Sequence, residues 1–406
     1  MNDRRRLTQT VQANSLQLVD APRPPQSSKL PLLCPECHTE VQGTGDRCLC
    51  PGCGACWPSV GGVPDFFHAE DYAAFDAELL AQIERCISEH PMLGSWDLEL
   101  IGRHAASNSE VLEFRRRTQP DVPTLMLKHR RRRLSREASG NHARHEFQLL
   151  NEIWQRSDAA FRNTLPRPIA LLPEIGAAVF QRVPGIPLSQ FLKQHANTVT
   201  GPLHLPSLSA TAASIGNWLH CLHSLNLAAA TRHDGYWFLS ALEYWLRKAL
   251  RVGLEPWAAG EVWRAAARSA MTLDSLCPRS GTHGDFIPQN IFVRPADVAV
   301  IDFASYRNPN PIYEDLGLFV AYARLIATRW IYSHPALDEI VLAFLESYGS
   351  ELNPHLLNLY VLKSTAMIFA DQFSPQSFHP KDAVKRQRIQ KHLLHQALIV
   401  SQMEAR

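Results

Sequence analysis

"THGDFIPQNIFVRPADVAVIDF", residues 282–303, decides how the chain is read. Two apolar runs, Ile291 to Val293 and Val298 to Ile301, flank Arg294-Pro295-Ala296-Asp297, a pattern that predicts a β-hairpin. A hairpin brings the residues just before its first strand and just after its second to one edge. Asp285 and Asn290 are therefore expected beside Asp302. Such an edge suits phosphoryl transfer. That reaction needs a carboxylate to orient and deprotonate an acceptor hydroxyl, and an amide with a second carboxylate to hold magnesium on the phosphates.

Upstream, "WDLELIG", "EVLEFRRR" and "TLMLKHR" read as three short antiparallel strands separated by the polar turns "RHAASNS" and "TQPDVP". The third strand carries Lys128 after the apolar Leu125, Met126 and Leu127, and the helix predicted from "NHARHEFQLLNEIWQRS" carries Glu146 beside Phe147, Leu150 and Ile153. A lysine on the inner side of a strand pairs with a glutamate on the facing helix, which fixes the ammonium to grip two phosphates of a nucleotide. The first turn offers the backbone amides of Ser107, Asn108 and Ser109 as a phosphate cover. Farther on, "AAVFQRVPGIPLSQFL" predicts an apolar strand ending at Val183-Pro184-Gly185 and a helix from Ser189. The extended segment at Val183 suits a link between two lobes whose backbone meets an adenine.

The order His283-Gly284-Asp285, four residues, Asn290, and then Asp302-Phe303 resembles the kinase-like phosphotransferases. The nearest pattern is that of aminoglycoside phosphotransferases, choline kinases and similar small-molecule kinases, in which glycine stands where protein kinases carry arginine. The likeness runs over about residues 96–375. It implies an α+β, two-lobed protein kinase-like fold, a small antiparallel sheet lobe followed by a helical lobe, and the use of ATP and magnesium. Carried over residue by residue, it makes Asp285 the base and Asn290 and Asp302 the magnesium ligands. It also makes Lys128 and Glu146 the phosphate-gripping pair and His283 a support of the loop, and has Asp315 cap backbone amides behind it. The chain departs from the family pattern at Ile287, Gln289 and Ala304, which bears on the acceptor's approach.

The front of the chain carries different chemistry. Six of nine cysteines fall between Cys34 and Cys56. Cys34 with Cys37 and Cys50 with Cys53 are C-x2-C pairs, a spacing that closes a tetrahedron of thiolates around zinc. Cys48 and Cys56 leave the ligand set open, because Cys53 with Cys56 has the same spacing. Residues 32–67 resemble the zinc ribbons that precede some bacterial methyltransferases and the small zinc-ribbon partner of methyltransferases. That likeness implies a structural or docking module with no open metal position, and hence a protein partner.

The expected organisation is a mobile polar arm over 1–30, a zinc ribbon over 31–67 and a connector helix over 68–95. A sheet lobe over 96–187 and a helical lobe over 188–406 with the catalytic loop follow. The connector carries Tyr72, Phe75, Leu79, Leu80, Ile83 and Ile87 on one stripe. In the helical lobe, Ile215, Trp218, Leu219 and Leu222 share a face, while His220 and His223 read as packed or solvated. The aromatic-rich "HDGYWFLSALEYWLRKALR" stands where the family builds its acceptor pocket.

Lys plus Arg at 41 against Asp plus Glu at 39 leaves a formal +2, so bulk charge nominates neither nucleic acid nor a membrane. No stretch reaches the roughly 20 apolar residues of a bilayer span, and the polar, Pro-containing start lacks a secretory core. A cytoplasmic protein is expected. The basic run from Lys128 to Arg136 is either a solvated loop or an anion-facing surface. Two activities compete: transfer of phosphate from ATP to a hydroxyl of a small molecule or glycan, and a kinase-like nucleotide-binding scaffold whose ribbon docks a partner such as a methyltransferase. A protein kinase is disfavoured, since no activation-loop anchoring motif follows Asp302.

Overall fold

A computed structural model describes residues 39, 42–44, 47–49, 51, 56–60, 63–64, 69–105, 109–119, 124–130, 136–349, 351–373 and 380–403. The chain forms two compact units, Met1–Gln82 and Ile83–Arg406. In the first, four short strands pair antiparallel in sequence order: β1 (Gln42–Thr44), β2 (Arg47–Leu49), β3 (Cys56–Val60) and β4 (Val63–Pro64). Helix α1 (Ala69–Glu89) follows.

The second unit begins with a five-stranded antiparallel sheet. It contains β5 (Leu98–Ala105), β6 (Ser109–Arg116), β7 (Leu125–Arg130), β8 (Pro168–Leu172) and β9 (Ala177–Gln181), in the order β5-β6-β7-β9-β8. Period-2 alternation sorts its faces. Leu112, Phe114, Leu125 and Leu127 are buried on one side. Val111, Met126, Lys128 and Phe180 fall on the other, with Val111 opposite Lys128 and Met126 opposite Phe180. Helix α2 (Arg136–Arg156) packs along β7, β8 and β9, with Leu150 and Ile153 buried and the Phe147 ring 6.3 Å from that of Phe180.

After the short α3 (Ala159–Arg162) and β9, the chain passes through β10 (Ile186–Pro187) into α4 (Leu188–His195). The helical part contains α5 (Leu205–Leu225), α6 (Gly235–Arg251), α7 (Pro256–Thr272), α8 (Tyr313–Ala327), α9 (His334–Tyr348), α10 (Pro354–Gln372) and α11 (Pro380–Met403). Within it, α5 packs on α9, and α10 packs on α6, α8 and α11. Ile215, Trp218, Leu219 and Leu222 all face this core.

Two three-stranded sheets lie within this part. One contains β11 (Ala228–Arg232), β12 (Leu276–Thr282) and β15 (Arg307–Pro311), with β12 central. The other is the hairpin β13 (Ile291–Val293) and β14 (Val298–Val300), with Ile291 opposite Val300 and Val293 opposite Val298. Ile301 lies beyond β14, but its N–H donates to the Asn290 carbonyl at 2.9 Å and extends the ladder. β10 pairs with β13, Ile186 against Val293, so the link between the lobes is itself joined to the hairpin.

The sheet has five strands where three and a separate apolar strand are legible in sequence. β8 opens with Pro168, and β12 and β15 carry prolines and few β-branched residues, so local propensity conceals them. Their pairing comes from tertiary neighbours. Among the described residues, no helix is long and apolar enough to cross a membrane.

Leu127 is fully buried at the centre of the sheet. Leu127→Ala is expected to lower unfolding free energy by about 2–5 kcal/mol, read as a lower urea midpoint with an unchanged slope.

Candidate active site

Three separate elements converge on one ammonium. Lys128 Nζ, on the inner face of β7, donates to Glu146 Oε1 on α2 at 2.8 Å and to Asp302 Oδ1 past the hairpin at 2.7 Å. Burial works against the ammonium, but the charges of Glu146 and Asp302 outweigh it and hold the Lys128 pKa above its ordinary value. Asp302 is the reciprocal case: burial pushes its carboxyl up, yet the lysine beside it prevails, and its pKa lies below the usual carboxylate range. Its backbone is left-handed, φ 69° and ψ 69°, a conformation that aspartate tolerates better than most side chains. The tertiary pairing holds it there.

Asp285 faces the opposite balance. Burial is the largest influence and raises its pKa, the nearby Asp302 adds to the rise, and His283, Asn290 and Lys128 oppose it without cancelling it. Asn290 Nδ2 donates to Asp285 Oδ2 at 2.8 Å and to the Asp285 carbonyl at 3.0 Å. With its nitrogen committed, the Asn290 side-chain oxygen remains an available hard donor. Asn290 and Asp302 thus fit magnesium, which binds through a few oxygen ligands and completes its shell with phosphate oxygens and water. Among the described residues, no group of three or more His, Cys, Asp or Glu side chains is placed to hold a metal.

The loop bearing Asp285 is held from behind. Asp315, fully buried in the first turn of α8, accepts the N–H of His283 at 2.6 Å and that of Gly284 at 2.8 Å. His283 Nδ1 accepts the Asp285 N–H at 3.3 Å, and its Nε2 contacts the Ile301 carbonyl at 3.0 Å. One imidazole therefore spans both sides of the hairpin edge. Gly284 has φ +78°, and a Cβ there would fall 2.2 Å from the Ser305 carbonyl oxygen, so the position has no room for a side chain. Phe286 plugs the loop into the helical core, with Trp218 5.8 Å and Phe319 5.9 Å away between ring centroids.

Between the sheet and the hairpin lies a cleft of ≈ 580 Å³, lined by Lys128, Glu146, Val183 and Asp302. Val111, Met126, Phe180, Phe292 and Ile301 supply apolar walls. Period-2 alternation along β7 marks Met126 as a face-mate of Lys128, but Val111 is set opposite the lysine by the β6–β7 register, which the sequence does not state. His223 is packed, one of the two readings its helix face allows, and its Nε2 lies 3.1 Å from Asp315 Oδ2, deep behind the loop. On α6, within the aromatic-rich stretch, Tyr236, Trp237 and Tyr244 are exposed. Ser109 opens β6 opposite Arg130. Ser107 and Asn108 lie outside the described residues, as do the zinc candidates Cys34, Cys37, Cys50 and Cys53 and the basic residues 131–135.

A family model described as "Phosphotransferase enzyme family" matches residues 114–359. No curated protein matches the chain at a significant level. Among solved structures, an amicoumacin kinase in complex with AMP-PNP and Ca2+ is similar at a TM-score of 0.50 and 14% identity, over 81% of this chain and 96% of that one. An ADP-bound aminoglycoside phosphotransferase gives 0.50 and 14%, over 80% and 99%. A choline kinase from Cryptosporidium parvum Iowa II gives 0.50 and 11%, over 81% and 97%. At these identities the likeness is one of fold: a protein kinase-like arrangement of antiparallel sheet and helices.

The two aspartates should respond oppositely to neutralisation. A carboxyl with a raised pKa in the folded state contributes stability below its unfolded pKa and loses it as pH rises through the folded value. A carboxyl with a lowered pKa contributes above the unfolded pKa and loses it as pH falls through the folded value. At neutral pH, Asp285→Asn is therefore expected to raise the melting temperature and Asp302→Asn to lower it, as measured by calorimetry. Shifts of the same sign would contradict the electrostatic assignment.

Proposed function

The chain belongs to the phosphotransferase enzyme family, and on that premise we propose that it transfers the γ-phosphoryl group of ATP to a hydroxyl of a small molecule or glycan. The observation that carries the reading is the Lys128 ammonium held between Glu146 and Asp302, with Asp285 and Asn290 at the same hairpin edge. A phosphoryl group in transfer needs positioning and charge neutralisation more than covalent help from the protein. Lys128, aimed by Glu146, supplies a fixed positive charge for the phosphates. The apolar walls of Val111, Met126, Phe180 and Phe292 suit the faces of a purine, and the backbone near Val183 suits its edge.

Asn290 and Asp302 are the residues that would hold magnesium, which on binding neutralises charge on the phosphate oxygens. Asp285 is the base that orients the acceptor hydroxyl and takes its proton. Its raised pKa suits the role, because a carboxylate destabilised by burial is a stronger base than an exposed one. His283 holds the loop by hydrogen bonds and carries no proton of the reaction. Asp315 anchors the same loop through two amides. Cys34, Cys37, Cys50 and Cys53 are assigned to a closed zinc site that serves docking and takes no part in the transfer.

Incubation with labelled ATP, magnesium and a panel of hydroxyl-bearing acceptors tests the reading. Asp285→Asn is expected to lose about 10²–10⁴-fold in kcat while still binding nucleotide by calorimetry. The wild-type rate is expected to rise with pH through an inflection above the ordinary aspartate range, since only the ionised Asp285 is active. A rate unaffected by Asp285→Asn would remove the assignment. Metal analysis should find about one zinc per chain, and Cys34→Ser should release it without weakening nucleotide binding.

A further inference from the structure

We propose that Tyr348, at the end of α9 and outside the cleft, is a positioning residue for the Asp285 loop and acts by fixing the ring of His223. Its kinetic consequence rests on the phosphotransferase reading above; its structural content does not.

A line of buried groups leads from α9 to the loop. The Tyr348 hydroxyl lies 2.8 Å from His223 Nδ1, and His223 Nε2 lies 3.1 Å from Asp315 Oδ2. Asp315 then takes the amides of His283 and Gly284, immediately before Asp285. Tyr348, His223 and Asp315 are 3%, 2% and 0% exposed. Groups this buried depend on one another for hydrogen bonds.

The hydrogen positions follow from the acceptors. A carboxylate oxygen repels a nitrogen lone pair, so His223 Nε2 faces Asp315 with its hydrogen. A ring that carries one hydrogen, on Nε2, holds its lone pair on Nδ1, and within the proposal the Tyr348 hydroxyl donates to it. This bond holds both the tautomer and the rotation of the ring, so that Asp315 receives a third donor besides the two loop amides. Without the hydroxyl, Nδ1 is buried with no partner, and the ring no longer has a fixed orientation on that side.

Two other contacts seat His223 for this role. The Ser280 hydroxyl donates to the His223 carbonyl, tying α5 to β12 just ahead of the loop. Gly216, two turns earlier on α5, allows α9 to approach: a Cβ there would fall 2.1 Å from Ser347 Oγ and 2.3 Å from the Phe344 carbonyl oxygen. The helices therefore meet along the seam that carries Tyr348 to His223.

The test uses the full-length protein with 15N-labelled histidine and Tyr348→Phe, which keeps the edge-on ring contacts with His220 and His223 and removes the hydroxyl alone. Wild type is expected to show His223 as a single tautomer with hydrogen on Nε2 and a hydrogen-bonded lone pair on Nδ1. In Tyr348→Phe the Nδ1 signal should lose its hydrogen-bond shift. The kcat should fall between about tenfold and a hundredfold, the scale of a small misplacement of a reacting group, with KM for ATP within twofold of wild type. Hydrogen on Nδ1 in the wild-type protein would overturn the proposal without any variant. An unchanged kcat in a folded Tyr348→Phe would overturn it as well. Absence of transfer by wild type to any hydroxyl acceptor would count against the phosphotransferase reading alone, and the tautomer measurement would then decide the role of Tyr348.

Discussion

The contact of Lys128 with Glu146 and Asp302 joins parts of the chain that no local rule brings together. One partner lies on the helix that follows the lysine's strand, and the other lies beyond the whole first half of the helical lobe. A partly buried ammonium needs compensating charge, and two carboxylates provide it at hydrogen-bond distance. Sheet, helix and hairpin edge are thereby held in one geometry. The cleft lies between them because those three elements face the same ammonium.

Around that contact the protein separates two chemically identical side chains. Asp302 sits against the lysine and is held below the usual range, whereas Asp285 is half-buried among weaker compensation and is raised. Pairs of titratable groups driven apart by their surroundings are the mark of divided labour at a site. The first suits holding positive charge; the second suits accepting a proton. The left-handed backbone at Asp302 and the glycine at 284, where a Cβ would strike the Ser305 carbonyl, show how tightly the two segments approach.

Behind the loop, the polar network is fully committed. Asp315 has no solvent access and takes two amides and an imidazole, and the imidazole in turn meets Tyr348 from another helix. A buried carboxylate is tolerated only when its acceptor capacity is satisfied. The aromatic packing of Phe286 against Trp218 and Phe319 anchors the same loop through apolar contacts. Position is therefore set from two directions, one polar and one apolar.

The order and spacing of His283, Gly284, Asp285, Asn290 and Asp302, together with the flanking apolar runs, are enough in sequence to imply the hairpin and its shared edge, because a two-strand turn is a local structure. Lys128 and Glu146 were legible as a facing strand lysine and helix glutamate and, through the family resemblance, as groups sharing one nucleotide with Asp302, whereas the direct hydrogen bond from the lysine to a residue 174 positions away is set by tertiary packing. The strands β8, β11, β12 and β15 were hidden by prolines and small residues whose pairing depends on neighbours distant in the chain. His223 looked like any histidine on an apolar helix face; only the approach of α5, α8 and α9 gives its two nitrogens partners. Sequence alone determined which chemical groups stand at the hairpin edge, since covalent spacing limits where they fall. Tertiary structure decided which of them are charged, which are buried and which are held from behind, since those properties depend on what other segments bring within a few ångströms.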